Sequence, residues 1–257
     1  MDYLTDGTVK LNTIYNEDCL EGMKRIPDGS VDMILCDLPY GTTACKWDTI
    51  IPFKPLWEQY ERVIKDNGAI VLFGSEPFSS NLRLSNLTNY KYDWHWIKSN
   101  GQGFFNVKKM PLKTIETISI FYKKLPTYNP QGVKAYGKTI SNSVAKLDNT
   151  EHISGHNGGN VKSKKYVQEF TNYPRQELFF GVVGKPLHPT QKPVALFEYL
   201  IKTYTNEGDT VLDNCMGSGT TAVACINTNR NFIGFELDGE YYQKALDRIA
   251  AVKQEEQ

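Results

Sequence analysis

The fold follows from the segment between Thr210 and Ala222, which reads TVLDNCMGSGTTA. Its apolar start predicts a strand, its G-x-G-x-x-A pattern a sharp turn, and residues 220–228 a helix. Glycines allow the backbone to turn tightly and to approach a ligand closely. Glu236 ends the next predicted strand, where a carboxylate can accept hydrogen bonds from ribose hydroxyls. The pattern favours a pocket for a nucleoside-containing cofactor, and its alternative is a tight turn followed by a solvated Glu236.

The position of this loop in the chain limits which folds are possible. Only 21 residues follow Glu236. A dinucleotide-binding domain normally opens with its glycine loop, so this order disfavours an NAD(P) oxidoreductase and requires most of the sheet to come from upstream. Strands are predicted at 31–35, 69–73, 92–97, 117–121, 210–212 and 232–235, and helices at 52–65, 76–87, 193–204, 220–228 and 240–252. This alternation predicts an α/β sheet.

A second segment with chemical potential follows the predicted strand 31–35. There Asp37, Leu38, Pro39 and Tyr40 lie at the carboxyl end of a strand, the edge where open α/β sheets bind ligands. Pro39 lacks a backbone donor and favours an extended Leu38, which leaves nearby carbonyls free to accept hydrogen bonds. A carboxylate and a carbonyl together can accept both hydrogens of an exocyclic amine, and Tyr40 can stack on a flat ring.

Composition limits the class of protein. The chain has 257 residues, 40% hydrophobic and 23% charged, which is typical of one large globular domain or one domain with an insertion. No apolar run approaches the roughly 18–20 residues of a membrane span, and the first residues lack a signal-peptide pattern, so we expect a cytoplasmic protein. Five cysteines without a C-x-x-C pair and four scattered histidines predict neither disulfides nor a metal site.

Charge is distributed unevenly along the chain. The formal net charge is zero, yet residues 91–170 contain 13 Lys and Arg against 5 Asp and Glu, between two acidic flanks. A basic middle favours an insertion that faces nucleic acid, and a solvated lysine-rich surface explains it equally well. Within it, residues 123–170 are dominated by Gly, Asn, Ser, Lys and Thr, which predicts a long, loop-rich insertion.

Four motifs in this order resemble those of the amino-group DNA methyltransferases. DLPY resembles their (D/N/S)-P-P-(Y/F/W) motif, with Leu38 in place of the first proline, and the glycine loop resembles their S-adenosylmethionine motif. HPTQKP at 188–193 resembles the segment they carry before that loop, and NEDCLE at 16–21 resembles their N-terminal segment. With DLPY first and the glycine loop last, the chain resembles the permuted β-type enzymes over most of its length outside roughly 100–180.

The resemblance implies a Rossmann-like class I methyltransferase fold, with a mixed, mostly parallel sheet flanked by helices, a circularly permuted motif order and a loop-rich insertion. Residues 1–99 would form the catalytic part, 100–180 a basic target recognition region, and 181–257 the S-adenosylmethionine-binding part of the same domain. The implied partner is double-stranded DNA. Dimerisation is common in the family and is expected here, whereas the presence of a cognate restriction endonuclease is left open.

The resemblance also implies roles for individual residues. The methionine part of S-adenosylmethionine would lie against Asp213, Gly217, Gly219, Thr220, Thr190 and Lys192. Its ribose would meet Glu236, its adenine would meet Asp18 and the backbone of Cys19, and Asp37 would border it. Simpler roles also fit two of these residues, because Asp18 suits a helix N-cap and Lys192 a surface lysine.

In this scheme Asp37 and the carbonyl of Leu38 or Pro39 orient the amine, and Tyr40 stacks on a base flipped out of the duplex. Lys46 and Trp47 would close over the site, although Trp47 also suits a core position. The basic segment would neutralise phosphates through Lys98, Lys108, Lys109 and Lys113. An acidic first motif residue favours adenine N6 in the family pattern. Cytosine N4, RNA or protein substrates, and a non-catalytic nucleic-acid-binding role remain alternatives.

Overall fold

The computed structural model describes residues 9–42, 48–141, 165–188 and 190–255. They form two compact units, one from the described parts of Met1–Asn129 and Arg175–Gln257, the other from those of Pro130–Pro174. Within these described ranges, no helix is long and apolar enough to span a membrane, and no three His, Cys, Asp or Glu side chains are grouped to hold a metal ion.

Ten strands and six α-helices are present in the described residues. The strands are β1 Thr13–Tyr15, β2 Val31–Cys36, β3 Ile64–Gly74, β4 Tyr90–Gln102, β5 Lys113–Phe121, β6 Lys134–Ser141, β7 Lys165–Thr171, β8 Glu177–Phe180, β9 Thr210–Asp213 and β10 Asn231–Phe235. The helices are α1 Cys19–Met23, α2 Phe53–Val63, α3 Phe78–Ser85, α4 Val194–Tyr204, α5 Thr220–Asn227 and α6 Gly239–Glu255.

Eight of the strands form the sheet of the larger unit, in the order β1-β10-β9-β2-β3-β5-β4-β8. In this sheet β5 runs antiparallel to its neighbours β3 and β4, and the other neighbouring pairs are parallel. β2 pairs with β9, with Ile34 opposite Leu212, although the two strands are far apart in the chain. The strands that lead into Asp37 and into the glycine loop therefore end side by side at the same edge.

Both faces of the sheet are covered, which explains the continuous apolar runs of its strands. Along β2, Met33 and Leu35 pack into one buried cluster with α4, α5 and α6, whereas Ile34 and Cys36 pack into another with α1, α2 and α3. Successive side chains of a strand point to opposite faces, so one short strand contributes to both clusters. The packing fixes the position of the residues that follow β2.

The elements predicted from the sequence are present, with shifted ends, and the α/β fold class is confirmed. Several strands were not predicted. In the segment expected to be loop-rich, β6 and β7 pair as an antiparallel two-stranded sheet, and farther along the chain β8 adds an edge strand next to β4. This strand pair escapes prediction because its described side chains are largely exposed and mix charged with apolar residues, without a buried face to impose a pattern.

The expected insertion at 100–180 differs from the compact units of the structure. β4 runs across residue 100, and β5 lies inside the main sheet beside β3. The second unit is confined to Pro130–Pro174. The role of 100–180 in target recognition stays a prediction.

Candidate active site

A cavity of about 860 Å³ opens at the carboxyl ends of the parallel strands. The corner that follows β2 and the glycine loop that follows β9 both line it. Its walls include Asp18, Cys19, Asp37, Leu38, Pro39, Tyr40, Thr190, Lys192, Asp213, Gly217, Thr220 and Glu236. The structure therefore gathers nearly all of the predicted catalytic and cofactor residues around one space.

The glycine loop needs its two glycines for different reasons. Gly217 has a φ of +54°, a conformation that side chains disfavour, and its N–H donates to Glu236 Oε2 at 2.7 Å. Gly219 has a φ of +80° and precedes α5, where an added Cβ would lie 3.1 Å from the Cβ of Ala245 on α6. Gly217 faces the cavity, whereas Gly219 allows the two helices to pack closely.

Asp213 stabilises the glycine loop through two hydrogen bonds. Its Oδ1 accepts from the Cys215 N–H at 3.0 Å, and its Oδ2 accepts from the Thr221 hydroxyl. The side chain is 3% exposed, and burial raises its pKa to about 6. Thr220, at the start of α5, accepts a hydrogen bond of 3.1 Å from Arg248. Asp213 and Thr220 thus shape the loop through contacts within the protein.

Two other acidic residues at the cavity accept backbone N–H groups. Glu236 accepts from Gly217 and, at 2.8 Å, from Asp238, while burial raises its pKa. Asp18 accepts from Leu20 and Glu21 at 2.8 and 3.2 Å and is the N-cap of α1, the simpler role open to it. Both side chains line the cavity. The contacts of Glu236 with a ribose and of Asp18 with an adenine stay predictions.

The corner after β2 centres on Asp37. Its Oδ1 accepts from the Tyr40 hydroxyl at 2.6 Å, and its Oδ2 accepts from Lys192 Nζ at 2.5 Å. Leu38 is buried in the core, so the side chain that replaces the first proline of the family motif packs inward. The Tyr40 ring stacks on Phe78 with centroids 5.0 Å apart.

Glu116 on β5 belongs to this corner and was not predicted. It is 6% exposed and accepts from Tyr40 at 3.0 Å, and it forms ion pairs with Lys192 at 3.1 Å and Lys98 at 2.9 Å. The only sign of it in the sequence is that Glu116 is the one acidic residue of the strand KTIETISIF. Two carboxylates and two ammonium groups thus compensate one another in a buried cluster, as buried charges require.

Burial and charge act in opposite directions within the cluster. Burial raises the pKa of Asp37, and the negative charge of Glu116 raises it further. The positive charge of Lys192 lowers this pKa, but the net shift is upward. Burial alone would also raise the pKa of Glu116, but Lys192 and Lys98 outweigh it and lower that pKa. Asp37 and Glu116 likewise raise the pKa of Lys192 against the effect of its burial. Glu116 and Lys192 are therefore both charged at neutral pH.

Comparison with known proteins identifies the family. The family model described as DNA methylase, N6_N4_Mtase, matches residues 31–247. The chain belongs to this DNA methylase family. It is 29% identical over 255 residues to the type II methyltransferase M1.MboII of Moraxella bovis, covering 92% of this chain and 96% of that one. Its identity to M.HpaI of Haemophilus parainfluenzae is also 29%, covering 90% and 72%.

Solved structures confirm the methyltransferase fold. The M1.HpyAVI complex with S-adenosylmethionine matches with a TM-score of 0.61 and 27% identity, covering 92% of this chain and 98% of that one. The cytosine-N4-specific PvuII DNA methyltransferase matches with a TM-score of 0.64 at 16% identity, covering 96% and 93%, a likeness of fold alone. The predicted family and Rossmann-like fold are both confirmed.

The lysines predicted to meet DNA fall into separate places on this methylase. Lys98 is 9% exposed and paired with Glu116, inside the cavity wall. Lys108 and Lys109 are exposed in the loop between β4 and β5, and Lys113, also exposed, lines the cavity. Lys46 and Trp47 lie outside the described residues. Lys98 thus faces a carboxylate, and contacts of the others with phosphates stay predictions.

His188 and residues 190–192 line the cavity beside the glycine loop. The His188 ring packs on Tyr241 with centroids 4.1 Å apart, and burial lowers its pKa to about 4. Thr190 Oγ1 lies 3.0 Å from His188 Nδ1. Lys192 contacts Asp37 and Glu116, and its expected contact with a methionine carboxylate stays a prediction. Cys36 is buried with a pKa raised to about 12, so its thiol stays protonated and is unsuited to nucleophilic attack.

Proposed function

We propose that this DNA methylase transfers a methyl group from S-adenosylmethionine to N6 of an adenine flipped out of duplex DNA. The observation that carries the proposal is the shared cavity, which Asp37 and Tyr40 line together with Gly217 and Glu236. An amine acceptor and a cofactor loop beside one space are what a direct transfer requires. The acidic residue at the first motif position favours adenine over cytosine.

The cavity suits the cofactor in size and in chemistry. Its volume of about 860 Å³ is near the upper end of the roughly 300–1,000 Å³ of small-molecule sites, which suits a nucleoside cofactor together with a base. Glu236 offers a carboxylate to ribose hydroxyls, Asp18 a carboxylate to an adenine amine, and Gly217 a wall without a side chain. Bound S-adenosylmethionine supplies an electrophilic methyl group on a sulfonium sulfur.

The protein's task is then to orient the amine. The lone pair of an exocyclic nitrogen is delocalised into the base ring, which makes the nitrogen a weak nucleophile. Asp37 accepts one N–H and the carbonyl of Leu38 or Pro39 accepts the other, which localises the lone pair and directs it at the methyl group. The Asp37 carboxylate also stabilises the positive charge that develops on the attacking nitrogen. This chemistry forms no covalent intermediate with the protein.

DNA reaches the cavity past the loop between β4 and β5 and the strand ends that flank it. Residues 101–115 contain Lys108, Lys109 and Lys113 and lack acidic residues, so they suit a phosphate backbone. Flipping a base costs a few kcal/mol, part of which stacking on Tyr40 recovers. Two relatives are type II methyltransferases, which favours methylation at a defined site within a restriction-modification system. A homodimer and a cognate endonuclease stay predictions.

Transfer of a tritiated methyl group to unmethylated duplex DNA, followed by nucleoside analysis, tests the proposal. We expect the label in N6-methyladenine. Label in N4-methylcytosine would assign the enzyme to the sister specificity, and absence of transfer to DNA would overturn the proposal. RNA and a protein extract, assayed in parallel, are expected to remain unlabelled.

A further inference from the structure

Two hydrogen-bond donors of the active site lie between two carboxylates. The Tyr40 hydroxyl is 2.6 Å from Asp37 Oδ1 and 3.0 Å from Glu116 Oε1. Lys192 Nζ is 2.5 Å from Asp37 Oδ2 and 3.1 Å from the same Glu116 oxygen. Both donors are closer to Asp37, and both have Glu116 within reach.

This arrangement weakens Asp37 as the acceptor for the target amine. The carboxylate has to accept an N–H of the target amine, yet each of its oxygens already accepts from a side chain, which leaves about one lone-pair site on each oxygen and weakens it as an acceptor. An ammonium beside the attacking nitrogen would also oppose the positive charge that develops there, and low polarity strengthens that repulsion. The lysine therefore needs a second acceptor during the reaction.

We propose that Glu116 is a positioning residue, which receives the Lys192 ammonium and the Tyr40 hydroxyl when the target amine binds and so releases Asp37. The inference rests on the proposed function. Hydrogen bonds are exchanged without a change in the charge of the cluster: two ammonium groups and two carboxylates remain. The exchange needs only small movements, because both donors already lie within hydrogen-bonding reach of Glu116.

Glu116 is held in place for this role. Its Oε2 is 2.9 Å from Lys98, and Lys98 in turn donates to Gln102 at 2.9 Å, which fixes the ammonium on the neighbouring strand. The other oxygen, Oε1, faces the donors that it shares with Asp37. Lys98 thus keeps Glu116 ionised and oriented while its second oxygen can accept from Lys192.

Glu116 also affects the charge state of Asp37. The titratable groups that face Asp37 or influence it at short range are Lys192, Tyr40, Glu116 and Asp213, with Cys36 next to it in the chain and Lys98 behind Glu116. The negative charge of Glu116 raises the pKa of Asp37, so its removal lowers that pKa. Since transfer requires an ionised Asp37, the acidic limb of the pH–rate profile should then move to lower pH.

The variant Glu116→Gln tests the inference because it keeps the shape of the side chain and removes its charge. We expect the single-turnover rate at saturating DNA and cofactor to fall by about 10- to 100-fold, since Lys192 would remain on Asp37. The acidic limb should shift to lower pH, and the Kd for S-adenosylmethionine should change by less than about twofold. Glu116→Asp should restore part of the rate.

A matched control separates this role from a structural one. Asp93, on β4, is a carboxylate that accepts from Tyr90 at 2.8 Å and from Ser119 at 2.7 Å, lies 3.6 Å from Arg83 and does not line the cavity. Asp93→Asn should lower thermal stability yet leave the rate and the acidic limb unchanged. In a Lys192→Met background, Glu116→Gln should cost clearly less in rate than in the wild type, because only the Tyr40 hydroxyl is left to move.

The outcomes distinguish this inference from the proposed function. If the wild-type enzyme methylates DNA and Glu116→Gln matches it in rate and pH profile, the positioning role is refuted while the proposed function stands. The role is also refuted if Glu116→Gln is slow but costs as much in the Lys192→Met background as in the wild type. If the wild-type enzyme transfers no methyl group to DNA, both proposals fall.

Discussion

Two groups of lysines on this methylase differ in almost every physical respect. Lys98 and Lys192 lie in the cavity wall, nearly buried, and form ion pairs with Glu116 and Asp37. Lys108 and Lys109 are exposed in the loop between β4 and β5, and in the described part of the chain neither has a salt-bridge partner.

The difference indicates separate tasks for the two groups. Buried charges are weakly screened and act at short range on the reacting groups, so the wall lysines should affect the rate of the chemical step. Exposed lysines release counterions when they meet phosphates, so the loop lysines should affect binding and its dependence on salt. Substitutions that change one property without the other can test this division.

The largest effect is expected on the wall side, for Asp37→Ala. The variant removes the carboxylate that both orients the amine and stabilises its developing charge, so kcat should fall by about 1,000-fold or more. Calorimetry should still detect S-adenosylmethionine binding, because the glycine loop and Glu236 are untouched. Full turnover in this variant would contradict the role assigned to Asp37.

A smaller effect should distinguish the two groups in stability. Lys98→Met removes one of the two ammonium partners of buried Glu116, and the free energy of unfolding should fall by about 1–3 kcal/mol. The matched variant Lys108→Met, at an exposed position, should change it by less than about 0.5 kcal/mol. Urea unfolding monitored by tryptophan fluorescence measures both values, and equal losses would show that the groups do not differ.

The smallest effect on turnover at saturating DNA should come from substitution of the loop lysines. The double variant Lys108→Ala/Lys109→Ala should raise KM for DNA and reduce the slope of log K against log salt by about 2. Its kcat should match the wild type, because neither side chain lines the cavity. A reduced kcat with an unchanged salt slope would place these lysines in the chemistry rather than in binding.

The sequence predicted the parts of the site that depend on local structure. The turn at Gly217 and Gly219 and the corner from Asp37 to Tyr40 each follow a short apolar strand, and their residue types are constrained within a few positions. The carboxyl-edge rule for an α/β sheet placed both segments at one edge, whereas the direct pairing of β2 with β9 was found only in the structure. These features could be predicted without knowledge of distant contacts.

Contacts between distant segments could not be predicted in the same way. Lys98 and Lys108 both belong to one basic stretch, and only the run of β4 through Gln102 turns Lys98 toward Glu116. Glu116 resembles any acidic residue on a strand until β4 and the segment carrying Lys192 pack against it. The charge count along the sequence therefore detected the basic segment, but it could not distinguish the buried Lys98 from the exposed Lys108.

The most direct measurement is long-read methylation sequencing of host DNA from cells that express either the wild-type protein or Asp37→Ala. We expect N6-methyladenine at a single short recognition sequence with the wild type and none above background with the variant. Three results would contradict an adenine methyltransferase that acts through Asp37. They are unmodified DNA from wild-type cells, N4-methylcytosine in place of methyladenine, and equal modification of the DNA by the variant.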